Sequence, residues 1–292
     1  MKISYIDKNF SAKTERLIAL CNNIIDEYAA QGFDLTLRQL YYQLVARDYI
    51  PNKQKEYKRL SSILSDARLA GLVDWESIID RTRSLRGNSH WTSPKSILRS
   101  AIRGYAIDKW QSQPIRVEVW IEKDALIGVI AGVCQRQDVD YFACRGYNSQ
   151  SEMWGAAQRL QTYIDNGQVP YILHLGDHDP SGMDMSRDIV DRINLFLGPH
   201  ANWVFERLAL NPEQVAEYNP PPNPTKLSDS RSNGYISYYG SDSWELDALD
   251  PAAISELIED EIIYLRDDDL WNDALDKEAS DRLALEKLQD YL

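Results

Sequence analysis

Apolar residues recur three and four positions apart through the first third of the chain, and that period predicts helices. Over residues 12–31, Leu17, Cys21, Ile24, Ile25 and Tyr28 share one helical face, with Ser11 placed to cap the start. A second helix is predicted over 35–47, where Leu37, Leu40, Tyr41, Leu44 and Val45 form the apolar stripe. A third spans 53–70 on Leu60, Ile63, Leu64 and Ala67, and Gly71 ends it. A short amphipathic stretch then leads into the basic segment 80–87, and a further helix over 94–110 runs towards Pro114.

Beyond Pro114 the pattern changes to short apolar runs separated by helical stretches. Strands are predicted at 116–121 (RVEVWI), 141–144 and 171–175 (YILHL), alternating with helices at 123–135, 150–165 and 181–197. That alternation predicts a parallel sheet covered on both faces. Residues 218–243, rich in Pro, Asn, Ser and Gly, read as a loop, and an acidic helical tail starts at Pro251. The expected class is α/β in two domains. Residues 1–112 form a mostly helical unit whose three helices and trailing basic loop fit a winged-helix DNA-binding domain. Residues 113–292 form the sheet unit with its helical extension.

Composition changes this picture in one respect. The net charge of -13 argues against a nucleic-acid partner, but the average hides a split. Through Trp120 there are 19 basic against 13 acidic residues, a net of +6, and the remainder carries 13 against 32, a net of -19. A basic half can face phosphate, while an acidic half can hold divalent cations or keep the protein in solution. The hydrophobic share of 43% supports real cores. No run of about 18 apolar residues suggests a membrane span, and the first residues lack the apolar core of a signal peptide. Cys21, Cys134 and Cys144 match no zinc spacing, so free buried thiols in a reducing cytoplasm are expected.

Chemistry concentrates at the predicted strand ends. Glu122 directly follows the first strand, and Asp177 and Asp179 follow the third, in Gly176-Asp177-His178-Asp179-Pro180-Ser181-Gly182. Open parallel sheets collect ligands at the carboxyl ends of their strands, so three carboxylates are expected at one edge. Mutual repulsion is relieved by a proton or by a hard cation with oxygen ligands, Mg²⁺ above all. The plainer reading is an Asp-rich loop that caps the next helix. No Gly-x-Gly-x-x-Gly follows the first strand, which argues against a dinucleotide site.

On the second helix Tyr42 falls off the apolar stripe, four residues after Arg38. A guanidinium beside a phenol eases loss of its proton and can also bind a phosphate, and both aid a tyrosine nucleophile. On the residues alone, an amphipathic tyrosine at a domain interface is the favoured reading.

Together these segments resemble the A subunit of topoisomerase VI and the related meiotic double-strand-break protein. Arg38-Gln39-Leu40-Tyr41-Tyr42 is similar to that family's tyrosine motif, and Glu122-Lys123-Asp124-Ala125 and Asp177 through Gly182 are similar to its Toprim motifs. Arg145-Gly146-Tyr147 echoes its Gly-Lys-Gly-Tyr segment, with Arg145 for Lys and Asn148 for the usual Pro. Arg207 through Leu210 and Trp244 through Leu249 resemble later segments, so the likeness covers roughly residues 35–250. The resemblance implies a winged helix joined to a Toprim domain. It implies Tyr42 as nucleophile aided by Arg38, and Glu122, Asp177 and Asp179 around Mg²⁺. It also implies a homodimer in which one subunit's tyrosine meets the other's acids, and it leaves open a separate ATPase subunit. This chain is compact for the family and carries no ATPase domain.

Three functions follow as expectations. Tyr42 attacks a phosphodiester and stays linked to the 5′ end; or water attacks at the same metal site; or the chain is a non-enzymatic winged-helix DNA binder. Lys53, Lys55, Lys58, Arg59, Arg81, Arg83 and Arg86 are the expected phosphate contacts.

Overall fold

The structure is a computed structural model and describes residues 2–78 and 90–289. Arg81, Arg83 and Arg86 therefore lie outside the described residues. The first unit contains α1 (Ala12–Ala30), α2 (Leu37–Ala46) and α3 (Gln54–Leu69). Ser11 caps α1 through the Thr14 N–H, and Thr36 and Gln39 close a reciprocal capping box on α2. The predicted apolar stripes meet in one core that includes Cys21, Ile24, Leu40, Leu44, Leu60 and Leu64. Among the described residues of this unit, strand pairing is limited to the isolated bridges Ser4–Ala70 and Leu35–Ile78.

The fourth predicted helix is shorter than expected. α4 covers Pro94–Gly104, and the chain turns extended at Tyr105. Glycine at its end and the extended Tyr105 account for the early stop.

The second unit is a four-stranded, all-parallel sheet in the order β2-β1-β3-β4. In chain order it reads β1 (Ile115–Ile121), α5 (Ile127–Arg136), β2 (Asp140–Ala143), α6 (Gln150–Asp165), β3 (Val169–Leu175), α7 (Pro180–Leu197) and β4 (Val204–Ala209). Alternate residues point to opposite faces of a strand, and the two cores follow that rule. Val117, Val119, Ile121, Leu173 and Leu175 join the core under α5, while Trp120 and Ile172 join the core under α6 and α7. The strand β4 and the helix that follows it, α8 (Pro212–Tyr218), were not foreseen from the sequence pattern.

The segment read as a loop over 218–243 carries more structure than its composition suggests. Asn223–Pro224 (β5) pairs antiparallel with Asp242–Ser243 (β6), and α9 (Ser232–Tyr239) lies between them. Next come a 3-10 turn at Leu246–Ala248, α10 (Pro251–Leu265) and α11 (Asp268–Gln289).

The two units share a contact. α2 packs against the Leu246–Ala248 turn, Ala248 enters the helical core, and the Tyr28 hydroxyl donates to Asp250 at 2.6 Å. The three cysteines are free and buried, as expected. Among the described residues no helix is long and apolar enough to cross a membrane.

Candidate active site

The carboxyl ends of β1 and β3 lie side by side, because Ile121 pairs with Leu175 in register. The next residues, Glu122 and Gly176, therefore start the same rim of the sheet. Glu122 Oε2 accepts the Asp177 N–H at 2.8 Å. Asp177 Oδ1 accepts the Leu246 N–H at 2.8 Å and faces Lys123 Nζ at 2.9 Å. Asp179 Oδ1 caps α7 through the Gly182 N–H at 2.7 Å. The plain reading of the acidic loop, a helix cap, is thus true of Asp179. Each of the three carboxylates commits one oxygen to the backbone, and its second oxygen makes no hydrogen bond among the described residues.

Burial raises the carboxyl groups of Glu122 and Asp177, and for Asp177 the Glu122 and Asp247 carboxylates add to the rise. For Glu122 the Asp179 carboxylate does so. A hard cation relieves repulsion of that kind, and free carboxylate oxygens are its preferred donors. The donor chemistry fits Mg²⁺. As arranged, no three acidic, histidine or cysteine side chains among the described residues close on one point.

Two glycines shape the loop by close approach. A Cβ on Gly182 would sit 2.2 Å from the Asp177 carbonyl oxygen, and one on Gly176 would meet Glu122 Oε2 at 3.0 Å. Beneath the loop, the buried Arg207 guanidinium donates to the carbonyls of Gly176 and Gly182 at 3.1 and 3.2 Å, and also to that of Asp177. Arg207 thus fastens both ends of the acidic loop. His178 fastens its middle: its N–H donates to Trp244 O at 2.8 Å, and its Nδ1 meets the Tyr235 hydroxyl at 2.6 Å.

Lys123 is the hub of an ionic network that the sequence did not announce. Its ammonium lies 2.8 Å from Asp247, 2.9 Å from Asp177 and 3.1 Å from Glu245. Burial lowers the affinity of Lys123 for its proton, but Asp247, Asp177 and Glu245 outweigh burial and raise it. On the other side, Asp247 Oδ2 stands 2.9 Å from Arg38 Nε, and Arg38 also pairs with Glu245. The Asp247 side chain is 1% exposed. One buried carboxylate therefore links the tyrosine helix to the acidic loop. Glu245 and Asp247 fall in the Trp244–Leu249 segment noted in the sequence, where nothing marked them as ionic partners.

Tyr42 departs from its expected surroundings. Its ring stands 5.7 Å from the Arg38 guanidinium, as the four-residue spacing predicts. It is nonetheless 3% exposed, as deeply placed as Tyr41 at 4%, because the segment around Glu245 covers the face opposite the apolar stripe. Burial raises the phenol above its usual range, Glu245 and Asp247 add to that, and Arg38 opposes them without prevailing. Arg38 does pull the phenol down, as expected, but burial and the two carboxylates that pair with Arg38 outweigh it, so the net shift is upward. Asn223 Nδ2 approaches the Tyr42 hydroxyl at 3.5 Å. Tyr41 has a structural task, donating to Asn52 and accepting the Lys53 N–H at 2.8 Å.

Arg38, Tyr42, Asp179, Ser181, Lys226 and Glu245 line one cleft of about 590 Å³. The start of α3 lines it too, through Gln54 and Tyr57. Beside them, Lys53, Lys55 and Lys58 are exposed, and Arg59 pairs with Glu56 at 2.6 Å. Arg145 pairs with Asp124 at 3.0 Å. Compared with known proteins, the chain matches no family model, no curated protein and no solved structure.

Proposed function

We propose that the chain is a Mg²⁺-dependent DNA-cleaving protein, similar in plan to the topoisomerase VI A subunit, with a winged-helix-like unit set on a Toprim-like sheet. The observation that carries this reading is the shared cleft: the candidate nucleophile Tyr42 and the candidate metal ligand Asp179 line one cavity, next to the strand ends that bear Glu122 and Asp177. Glu122, Asp177 and Asp179 would hold the cation. When bound, Mg²⁺ supplies charge stabilisation for the phosphate and for the leaving oxygen.

The chain's own groups do the rest. Tyr42 Oη forms a bond to phosphorus, the bond from phosphorus to the 3′ oxygen breaks, and that oxygen leaves with the proton given up by the phenol. The product is a 5′-phosphotyrosyl link and a free 3′ hydroxyl. Arg38 holds the Tyr42 ring, and Asp247 fixes Arg38. The neutral phenol of the resting protein must therefore lose its proton as it attacks. The cleft is built by a single chain, while a homodimer and a separate ATPase subunit belong to the proposal through the family resemblance alone.

A second reading has its own observation. Tyr42 is buried and holds its proton firmly, which favours water as the nucleophile at the same metal site. Supercoiled plasmid incubated with Mg²⁺ separates the two. Tyrosine attack leaves protein on the 5′ ends that only proteinase removes, and Tyr42→Phe abolishes cutting. Hydrolysis leaves extractable ends and a Tyr42→Phe variant that still cuts. A protein that binds DNA and cuts nothing is a plain DNA binder.

A further inference from the structure

We propose that Lys226 is the side chain that binds the substrate phosphate in this cleft; the assignment rests on reading the cleft as the DNA-cleaving site. The sequence gives that task to Arg38, beside the tyrosine. In the structure Arg38 is bound by Glu245 and by Asp247, so its charge is matched before any substrate arrives.

The charges around the cleft can be paired off. Glu245 is matched by Lys123 and Arg38. Asp229 is matched by Arg231 at 2.8 Å. Among the described residues that line the cleft, Asp179 and Lys226 are the charged side chains without an ion-pair partner. They have opposite signs. A phosphodiester bound together with a divalent cation presents the complementary pair, an anion for Lys226 and a cation for Asp179. A protein with a net charge of -13 repels DNA at long range, so an unmatched ammonium inside the cleft has a large local effect.

The backbone holds Lys226 in place. Thr225 N–H donates to Ser241 O at 2.9 Å, Asp229 N–H donates to Lys226 O at 3.0 Å, and the β5–β6 ladder closes the base of the turn. Binding therefore orders only the exposed side chain, which limits the entropy lost. An ammonium is a compact point charge with three donors, suited to a non-bridging phosphate oxygen. Gln54 lines the same cavity and offers a neutral amide donor there, whereas the Asn52 amide is committed to Pro222 O and to Asn223 Oδ1.

The test is the binding of a short fluorescent DNA duplex in EDTA, where metal-dependent cutting is silent, across a series of KCl concentrations. Lys226→Met weakens binding several-fold for all sequences alike and lowers the slope of log K against log[KCl] by about 0.9. Lys226→Arg restores both, because it keeps the charge. Lys277→Met, at a remote pair with Asp281, leaves both unchanged. If the wild type binds duplex and Lys226→Met binds it with the same affinity and slope, the Lys226 assignment is wrong while the DNA reading stands. If the wild type binds no duplex, the DNA reading fails, and Lys226 fails with it.

Discussion

Lys123 shows how one side chain can hold a site together. Its ammonium faces three carboxylates, one of them the 1%-exposed Asp247. Removing one partner of a buried ionic cluster strands the others, at a cost of about 3–5 kcal/mol. Lys123→Met is therefore expected to lower stability by that order in urea unfolding. Adding Asp247→Asn to Lys123→Met should recover part of the loss, since one stranded charge is gone. A double variant less stable by the full sum of the single losses would contradict the network. A second residue-scale prediction concerns His174, which is fully buried against the Arg207 guanidinium. Burial, and then Arg207, lower it to about 3 from an ordinary 6.5. Its folded value is depressed, so in the window between those values the unfolded chain takes up a proton that the native protein refuses. The contribution to stability is complete above about pH 6.5 and falls by about 1.4 kcal/mol per pH unit as pH drops towards 3. Against His174→Gln, wild-type stability should fall more steeply between about pH 6 and pH 4. Parallel profiles would show that His174 is not the group responsible.

At the scale of elements, α2 joins local chemistry to the site. The Thr36–Gln39 capping box fixes its first turn, two residues before Arg38. Thr36→Ala should cost about 1 kcal/mol, read as a lower denaturation midpoint with an unchanged m-value. A loss within error would mean that tertiary packing alone holds the helix start. The elements foreseen from periodicity were those with a clear stripe: α1, α2, α3, and the strands and helices from β1 through α7. The placement of Glu122 and Asp177 at one rim followed from their positions just past two strands of a parallel sheet, because parallel strands end at the same edge. What escaped was set by tertiary partners. Gln39, Tyr42 and Gln43 lie on a polar face by sequence, yet all are buried, and α2 packs against the Leu246–Ala248 turn some 200 residues away. β4 is only half-buried along most of its length, so its apolar signal was weak. α9 hides in a stretch whose Gly, Ser and Asn content reads as loop. The partners of Lys123 could not be known before the chain folded, since three acids distant in sequence converge on it.

For the whole molecule, the charge split takes a spatial form. The exposed Lys53, Lys55 and Lys58 stand beside the cleft, where α3 begins, while the acidic tail helices pack elsewhere, α10 on α5 and α11 on α4. A duplex entering the cleft would cross α3. Replacing those three lysines together should lower the salt slope by about 0.9 for each lost phosphate contact. An unchanged slope would place the DNA path on another face. The central claim is that Glu122, Asp177 and Asp179 form a metal site for DNA cleavage. Its most direct measurement is the rate of supercoiled plasmid cutting as Mg²⁺ is titrated, for the wild type, Glu122→Gln and Asp177→Asn, with folding checked by thermal denaturation. Wild-type cutting that requires Mg²⁺ and disappears in both folded variants is the predicted result; cutting at the wild-type rate by both variants, or cutting that persists in EDTA, would contradict it.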